Sequence, residues 1–146
     1  MRDAEDDPTR VTIAHYERQA EAFWAGTRDH DVSQNIDALL GAITGLGPHR
    51  VLDFGCGPGR DLAELRRRGH HPVGLDGSAT FCEMARAHVG CEVWHQDFLA
   101  LSLPLASFEG VFANASLFHV PSIALPGVLR ALHAALVPGG VLFSSN

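Results

Sequence analysis

The sequence predicts an α/β fold in which a doubly wound, mostly parallel sheet carries helices on both faces. Short apolar runs typical of buried strands alternate with amphipathic helical patterns from residue 49 onward. A glycine-rich turn at 55–59 follows the first of these runs, and Asp76 ends the second run about twenty residues later. Doubly wound sheets bind ligands at the carboxyl ends of their strands, so both features fall where a site is expected.

Residues 1–8 are predicted to be an acidic mobile tail, and residues 9–48 to form two N-terminal helices. In the first helix, Asp7 is a cap, Pro8 takes the first helical position, and one face carries Ile13, Tyr16, Ala20 and Phe23. The second helix is predicted to be capped by Asp31 and to bury a stripe of Val32, Ile36, Leu39, Leu40 and Ile43.

Residues 49–146 are predicted to form the core of the sheet. We expect strands at 50–54, 72–75, 91–95, 108–113 and 141–145. A helix over about 59–68 turns Leu62 and Leu65 inward, and a second helix is capped by Ser78 or Thr80 and buries Phe81, Met84 and Ala85. After strand four, a helical stripe comprises Leu125, Val128, Leu129, Leu132 and Leu136, and the turn 138–140 leads into the last strand.

Composition restricts the function classes. The formal net charge of −6 argues against a nucleic-acid groove, and the basic cluster 66–68 suits the C-terminal end of a helix. No apolar run could span a membrane, and the acidic N-terminus is unlike a signal peptide, so we expect a cytoplasmic protein. The nine histidines and three cysteines show no metal-ligand spacing, and the cysteines are interpreted as small, reduced hydrophobic residues.

The stretch from Asp53 to Asp61 resembles motif I of class I S-adenosylmethionine (SAM)-dependent methyltransferases, which places an acid, one residue and then G-x-G-x-G. The nicotinamide fingerprint G-x-G-x-x-G would need a third glycine where Arg60 stands. The resemblance implies a Rossmann-like fold, SAM as the cofactor and S-adenosylhomocysteine as its product. A nicotinamide-dependent oxidoreductase remains the less favoured alternative.

The resemblance also assigns the cofactor contacts. Asp53 with Gly55, Gly57 and Gly59 would hold the methionine portion of SAM, and Asp76 would accept from the ribose hydroxyls. The adenosine would be lined by residues that follow strands two and three, namely Gly77, Ser78, Asp97 and Phe98. Read from residue chemistry alone, Asp53 could instead cap loop N–H groups, Asp76 could be a helix cap, and Phe98 could be a core residue.

The turn after strand four, Asn114-Ala115, resembles the position whose backbone carbonyl faces the SAM amino group, so we expect its residue identities to matter less than its shape. Tyr16 and Arg60 are candidates to bind the cofactor's carboxylate. His119 is either a general base near the transferring methyl group or a structural residue. The sequence has no covalent nucleophile, which agrees with direct methyl transfer to a small-molecule acceptor.

Members of the family that this chain resembles normally have seven strands, whereas this sequence provides five. We therefore expect a chain truncated after strand five, with strands six and seven absent and residues 9–48 forming a lid over the cofactor. An uncovered apolar edge at strand five would favour self-association. The alternative function is a SAM- or S-adenosylhomocysteine-binding fragment without turnover.

Overall fold

A computed structural model of the protein describes residues 32–145. The predicted tail, the first helix with Tyr16, and the capping residue Asp31 lie outside these residues. The described elements follow in chain order: α1 (Ser33–Ala42), β1 (Arg50–Phe54), α2 (Arg60–Arg67), β2 (His71–Asp76), α3 (Ala79–Val89), β3 (Val93–His95), β4 (Phe108–Asn114), a short 3₁₀ helix (Leu117–His119), α4 (Leu125–Ala135) and β5 (Leu136–Ser145).

The sheet has the strand order β3-β2-β1-β4-β5, and each neighbouring pair runs parallel. This confirms the predicted doubly wound, parallel architecture. From β1 the chain builds outward through β2 and β3 on one side and then returns to place β4 and β5 on the other. The strand order therefore reverses between β1 and β4, and ligands bind at such switch points in open α/β sheets.

The core lies on both faces of this sheet. On one face, α1 contributes Ile36, Leu39 and Ile43 to a cluster with Val51 and Phe112. On the other face, α4 packs on a larger cluster that includes Leu52, Phe54, Phe108, Val111, Val128 and Leu132. Neighbouring residues of β1 thus point to opposite faces, as the pleat of a strand requires.

Of the residues predicted for the α4 stripe, Leu129 lies in the helix but off its buried face, and the prediction for Leu136 is wrong. Leu129 is 37% exposed, because the buried face of the helix is formed by Val128, Leu132 and Ala135. Leu136 is outside the helix, where its extended backbone (φ −78°, ψ 142°) begins β5. Leu136 continues the helical spacing of the leucines, but it pairs with Phe108 of β4, and the helix therefore ends at Ala135.

The last strand also begins earlier than predicted. β5 starts at Leu136 rather than at Val141, and the turn predicted at 138–140 is part of it. Leu136 pairs with Phe108 whereas Val141 pairs with Gly110, so the extra residues form an irregular bulge between two paired segments. By contrast, the predicted cap at Ser78 is confirmed, since its Oγ accepts a hydrogen bond from the Phe81 N–H at 3.1 Å.

Among the helices of residues 32–145, none combines the length and apolar character needed to cross a bilayer.

Candidate functional site

The glycine-rich turn connects β1 to α2 and is attached to the end of β2. The backbone N–H groups of Gly55 and Cys56 both donate to the Leu75 carbonyl oxygen, at 2.8 and 3.0 Å. Gly55, Gly57 and Gly59 have φ values of 82°, 55° and 106°, in the left-handed region that favours glycine. The turn therefore crosses from one strand end to the next with its backbone close to both.

Gly55 and Gly59 are needed for contacts within the protein. A Cβ atom at Gly55 would lie 2.6 Å from the Cβ of Ser116, and one at Gly59 would lie 2.9 Å from Cγ2 of Val89. Contacts within the protein alone therefore leave no room for a side chain at Gly55 or Gly59. Any contact they make with a cofactor would come from their backbone groups.

Asp76 joins the glycine turn to the start of α3. Its Oδ2 accepts a hydrogen bond from the Gly57 N–H at 2.8 Å, and its Oδ1 accepts one from the Ser78 N–H at 2.9 Å. Burial raises the pKa of the Asp76 carboxyl, and the backbone hydrogen bonds from Ser78 and Gly57 oppose that rise. Each carboxylate oxygen has a second lone pair, so these bonds leave capacity to accept from a ribose.

Gly77 and Ser78, both predicted to line the adenosine, are buried. The Gly77 carbonyl oxygen lies 3.0 Å from Nε2 of His95, a contact the sequence did not predict. Ser78 is 0% exposed, and its hydroxyl caps α3. The hydroxyl of Ser78 is therefore used by the helix, and the lining of the adenosine by Gly77 and Ser78 stays a prediction.

Asp53 is a buried acid at the end of β1. It is 1% exposed, and its Oδ2 has no hydrogen-bond partner among the described residues. Burial raises the pKa of its carboxyl well above the ordinary range, and the charges of Asp61 and Asp76 add to the rise while Arg60 opposes it. The alternative that Asp53 caps loop N–H groups does not explain why Oδ2 is buried without a hydrogen-bond partner among the described residues.

Asp61 was not predicted as a site residue, yet it is buried beside Asp53. It lies in the first turn of α2, where an acid suits the helix dipole, and its Oδ1 is 3.1 Å from Nε of Arg60. Arg60, predicted to bind the cofactor's carboxylate, is thus engaged with Asp61 in this structure.

After β3, the two residues predicted to contact the adenine also have contacts within the protein. Oδ1 of Asp97 accepts a hydrogen bond from the Leu99 N–H at 2.8 Å, and Phe98 stacks on Phe54 with ring centroids 4.3 Å apart. Phe98 is 8% exposed and belongs to the core cluster, in agreement with the alternative stated for it. A cavity of about 410 Å³ lies between the segment 98–101 and α4.

Asn114 connects three elements at the end of β4. Its Oδ1 accepts hydrogen bonds from Nδ2 of Asn35 in α1 at 3.0 Å and from Oγ of Ser145 in β5 at 2.5 Å. Ala115, at φ 54°, donates its N–H to the Ser145 carbonyl oxygen at 3.1 Å. The side chain of Asn114 therefore helps to hold this turn in place, and the contact of the turn with the SAM amino group stays a prediction.

Ser116 follows this turn and was also not predicted. It is 3% exposed, and its Oγ, like Oδ2 of Asp53, has no hydrogen-bond partner among residues 32–145. Its contact with the Gly55 position places it against the glycine turn. A serine inside an otherwise apolar run carries little signal by itself, so sequence patterns could not select it.

His119 ends the short 3₁₀ helix and is half-buried. Burial lowers the pKa of its imidazole, and its ring centroid lies 4.0 Å from that of Phe118. An uncharged imidazole at pH 7 can accept a proton. Its assignment as a base nevertheless stays a prediction.

The three cysteines are free, as the sequence predicts, and Cys56 and Cys82 are buried. Burial raises the pKa of the Cys56 thiol well above its usual value. Because the thiolate is the nucleophilic form, a covalent role for Cys56 is disfavoured.

In the described part of the chain, no group of three or more His, Cys, Asp or Glu side chains is arranged to hold a metal ion.

The buried acids, the glycine turn and the switch point define a cofactor-binding α/β domain, and comparison with known proteins gives its family. Residues 51–140 match the family described as a methyltransferase domain. The chain therefore belongs to the SAM-dependent methyltransferase family, and SAM is the cofactor that this family uses.

Two curated relatives indicate the breadth of the family. An uncharacterized methyltransferase of Mycobacterium tuberculosis is 36% identical over 111 residues, which cover 74% of this chain and 55% of the relative. A ubiquinone biosynthesis O-methyltransferase of Aeromonas salmonicida is 32% identical over 145 residues, which cover 92% of this chain and 60% of the relative. The chain thus spans somewhat more than half of the length of these relatives.

A solved structure supports the fold. The 1,6-didemethyltoxoflavin-N1-methyltransferase of Burkholderia thailandensis, determined with 1,6-didemethyltoxoflavin and S-adenosylhomocysteine, aligns with a TM-score of 0.70 at 24% identity. The alignment covers 92% of this chain and 59% of that protein.

Proposed function

We propose that the chain binds SAM across the carboxyl ends of β1, β2 and β4, and that the whole protein transfers the methyl group to a small-molecule acceptor. The main support for this proposal is the hydrogen bond from the Gly57 N–H to Asp76, because it attaches the glycine turn after β1 to the end of β2. Oδ2 of Asp53 and Oγ of Ser116, both buried and unpaired among residues 32–145, fit a bound polar ligand.

The proposed contacts follow the order of the strand ends. Asp76 accepts from the ribose hydroxyls with the lone pairs that Gly57 and Ser78 leave unused. Asp97 and the backbone of Gly77 lie toward the adenine, and Asp53 lies toward the methionine end. Tyr16 and Arg60 remain candidates to bind the methionine carboxylate. Arg60 would then bind this carboxylate and Asp61 at the same time.

The chemistry needs little from the protein besides alignment. The sulfonium of SAM supplies both the methyl group and the leaving group, so the protein has to hold acceptor, methyl and sulfur in line and exclude water. His119 would take a proton from the acceptor where one is released. The high pKa of Cys56 agrees with a reaction that has no covalent enzyme intermediate.

Several observations support a small-molecule acceptor. The net charge of −6 disfavours a nucleic acid, and the names of the Aeromonas and Burkholderia proteins describe methylation of small molecules. A nicotinamide oxidoreductase is disfavoured by the family match. A lid formed by residues 9–48 and a cytoplasmic location remain part of the proposal.

Because the chain spans 55% and 60% of these two relatives, binding and turnover are tested separately. A chain of residues 1–146 that binds SAM but transfers no labelled methyl group, while a longer form of the protein does transfer it, would favour the binding-only alternative.

The β5 edge pairs only with β4 among the described residues, and its half-buried Val141, Leu142 and Phe143 support self-association there.

The direct test is calorimetric titration of the chain with S-adenosylhomocysteine. Gly57→Val should abolish binding, because a branched side chain would occupy the turn that faces the ligand. Gly69→Val is the matched control: Gly69 also has positive φ (89°), but its Cβ position is open and lies outside the site. Equal affinity of the Gly57→Val protein and the wild type would place the cofactor elsewhere.

A further inference from the structure

Two histidine side chains lie against each other at the amino-terminal edge of the sheet, at the opposite end of the strands from the proposed cofactor site. His49 directly precedes β1, and His70 directly precedes β2. Their rings are stacked, with centroids 5.3 Å apart and an interplanar angle of 5°. Histidine is the side chain whose charge changes near neutral pH, so a partly buried pair of this kind is a candidate for a pH-dependent contact.

One hydrogen bond between the two residues depends on the protonation state of His70. The backbone N–H of His49 donates to Nδ1 of His70 at 3.0 Å. A ring nitrogen accepts only while it carries no proton, so in this structure Nδ1 is unprotonated and the proton of the neutral ring is on Nε2. When Nδ1 gains a proton, two donors face each other and the hydrogen bond is lost.

This hydrogen bond fastens the connection between α1 and β1 to the turn before β2. A Cβ atom built at Gly47 would lie 3.2 Å from Cε1 of His70 and 3.2 Å from Cδ2 of His49, so the connection passes directly over both rings. On the other side, the N–H of His70 donates to the Leu65 carbonyl oxygen of α2 at 3.1 Å. His70 is therefore held in place as the acceptor, and the connection is the part that its protonation would release.

The carboxylates on the neighbouring elements have other partners. Asp37 of α1 and Glu64 of α2 both form ion pairs with Arg68. Glu109 of β4 accepts a hydrogen bond from the backbone N–H at the start of β1. These contacts leave the histidine pair in a setting that does not favour a positive charge.

The sign of the pH dependence follows from this setting. Burial lowers the pKa of the His70 imidazole, and the charges of His49, Arg68 and His71 lower it further. The folded protein therefore binds this proton less tightly than the unfolded chain does. The stabilisation is present above the ordinary histidine range and is lost as pH falls through the folded-state pKa.

We propose that the His49–His70 pair is an acid-sensitive latch, which fastens the α1–β1 connection to the sheet while Nδ1 of His70 is unprotonated and releases it when that atom gains a proton. The strands stay paired during this release, because their ladder consists of backbone groups that do not titrate. The latch would make the attachment of the connection weaker at mildly acidic pH than at neutral pH. It does not depend on the proposed function.

Hydrogen exchange of the His49 amide measures the latch directly, and an NMR titration of the His70 ring measures its protonation. In the wild-type chain, the protection factor of this amide should fall roughly tenfold from about pH 7.5 to about pH 5, the effect of losing one hydrogen bond. The fall should follow the titration of the His70 ring, whose midpoint should lie below 6.5.

His70→Asn separates the hydrogen bond from the proton. Oδ1 of asparagine lies at nearly the same place along the side chain as Nδ1 of histidine and accepts a hydrogen bond, but the amide does not titrate in this range. The His49 amide of this variant should keep its protection factor within about twofold over the same pH range. His71→Asn is the matched control: it makes the same substitution at the exposed neighbour, leaves Nδ1 of His70 in place and should retain the wild-type fall.

Four results would overturn the inference. The protection factor of the His49 amide in the wild type could be independent of pH, or its fall could persist in His70→Asn. The fall could instead follow the titration of the His49 ring. Finally, the amides of β1 and β2 could lose protection equally, which would show that the whole sheet opens rather than the connection alone.

Discussion

The backbone N–H of Gly57 donates a hydrogen bond of 2.8 Å to Oδ2 of Asp76. The two features that the sequence predicts as separate ligand contacts, the glycine turn and the acid after β2, are therefore in direct contact with each other. The same carboxylate also accepts from Ser78 at the start of α3. One buried acid thus holds together the two loops that would receive the adenosyl group.

We expect Asp76→Asn to destabilise the protein. An amide provides one acceptor oxygen in place of two, so either the Gly57 or the Ser78 N–H loses its partner. The loss should be about 1.5–3 kcal/mol in the free energy of unfolding, measured in urea. Asp97→Asn is the control, because the retained Oδ1 can still accept from Leu99. Equal stability of both variants would show that the Asp76 bonds contribute little.

Gly59→Ala should also destabilise the protein, by more than Gly69→Ala. Both glycines have positive φ, 106° and 89°, so both variants incur backbone strain. Only at Gly59 would the new Cβ meet other atoms, Cγ2 of Val89 at 2.9 Å and Cα of Ala85 at 3.2 Å. The difference between the two variants in thermal or urea unfolding should be about 1–3 kcal/mol. A difference near zero would mean that α3 moves aside at no cost.

The stability of Asp53→Asn relative to the wild type should depend on pH. The folded-state pKa of Asp53 is raised, so the folded protein holds this proton more tightly than the unfolded chain does. Its contribution to stability is present at and below the ordinary aspartate range and is lost as pH rises through the folded-state pKa. The difference in unfolding free energy should therefore move in favour of the variant as pH rises. A difference that is constant with pH would contradict the burial of an ionisable carboxyl there.

If His119 is the general base, the rate of methyl transfer by the whole protein should have an acid limb below pH 6.5. Burial lowers the pKa of His119 from its ordinary value of 6.5, so the imidazole is uncharged at neutral pH. His119→Gln should remove this limb and lower kcat while leaving the affinity for S-adenosylhomocysteine unchanged. A pH–rate profile that the substitution leaves intact would assign His119 a structural role.

The elements that sequence patterns predicted best are those fixed by local signals. β1 was predicted with its observed bounds, and the Ser78 cap and the inward-facing Leu62 and Leu65 were also correct. Leu136 failed because its spacing continues the helical pattern, whereas its conformation is set by pairing with Phe108. Long-range strand pairing overrides a local period in such cases.

The site residues show the same difference between local sequence signals and long-range contacts. Asp53 and Asp76 could be selected because an acid at the end of an apolar run is unusual. The contacts of Asn114 and Ser116 could not be predicted, because they involve Asn35, Ser145 and Gly55, which are distant in sequence. Their significance follows from the β1–β4 pairing, which only the assembled sheet provides.

The most direct measurement is a crystal structure of the protein with S-adenosylhomocysteine bound. The account predicts the ribose within hydrogen-bonding distance of Asp76 and the methionine end of the ligand toward Asp53. Electron density for the ligand in another location, for example in the cavity between residues 98–101 and α4, would contradict it.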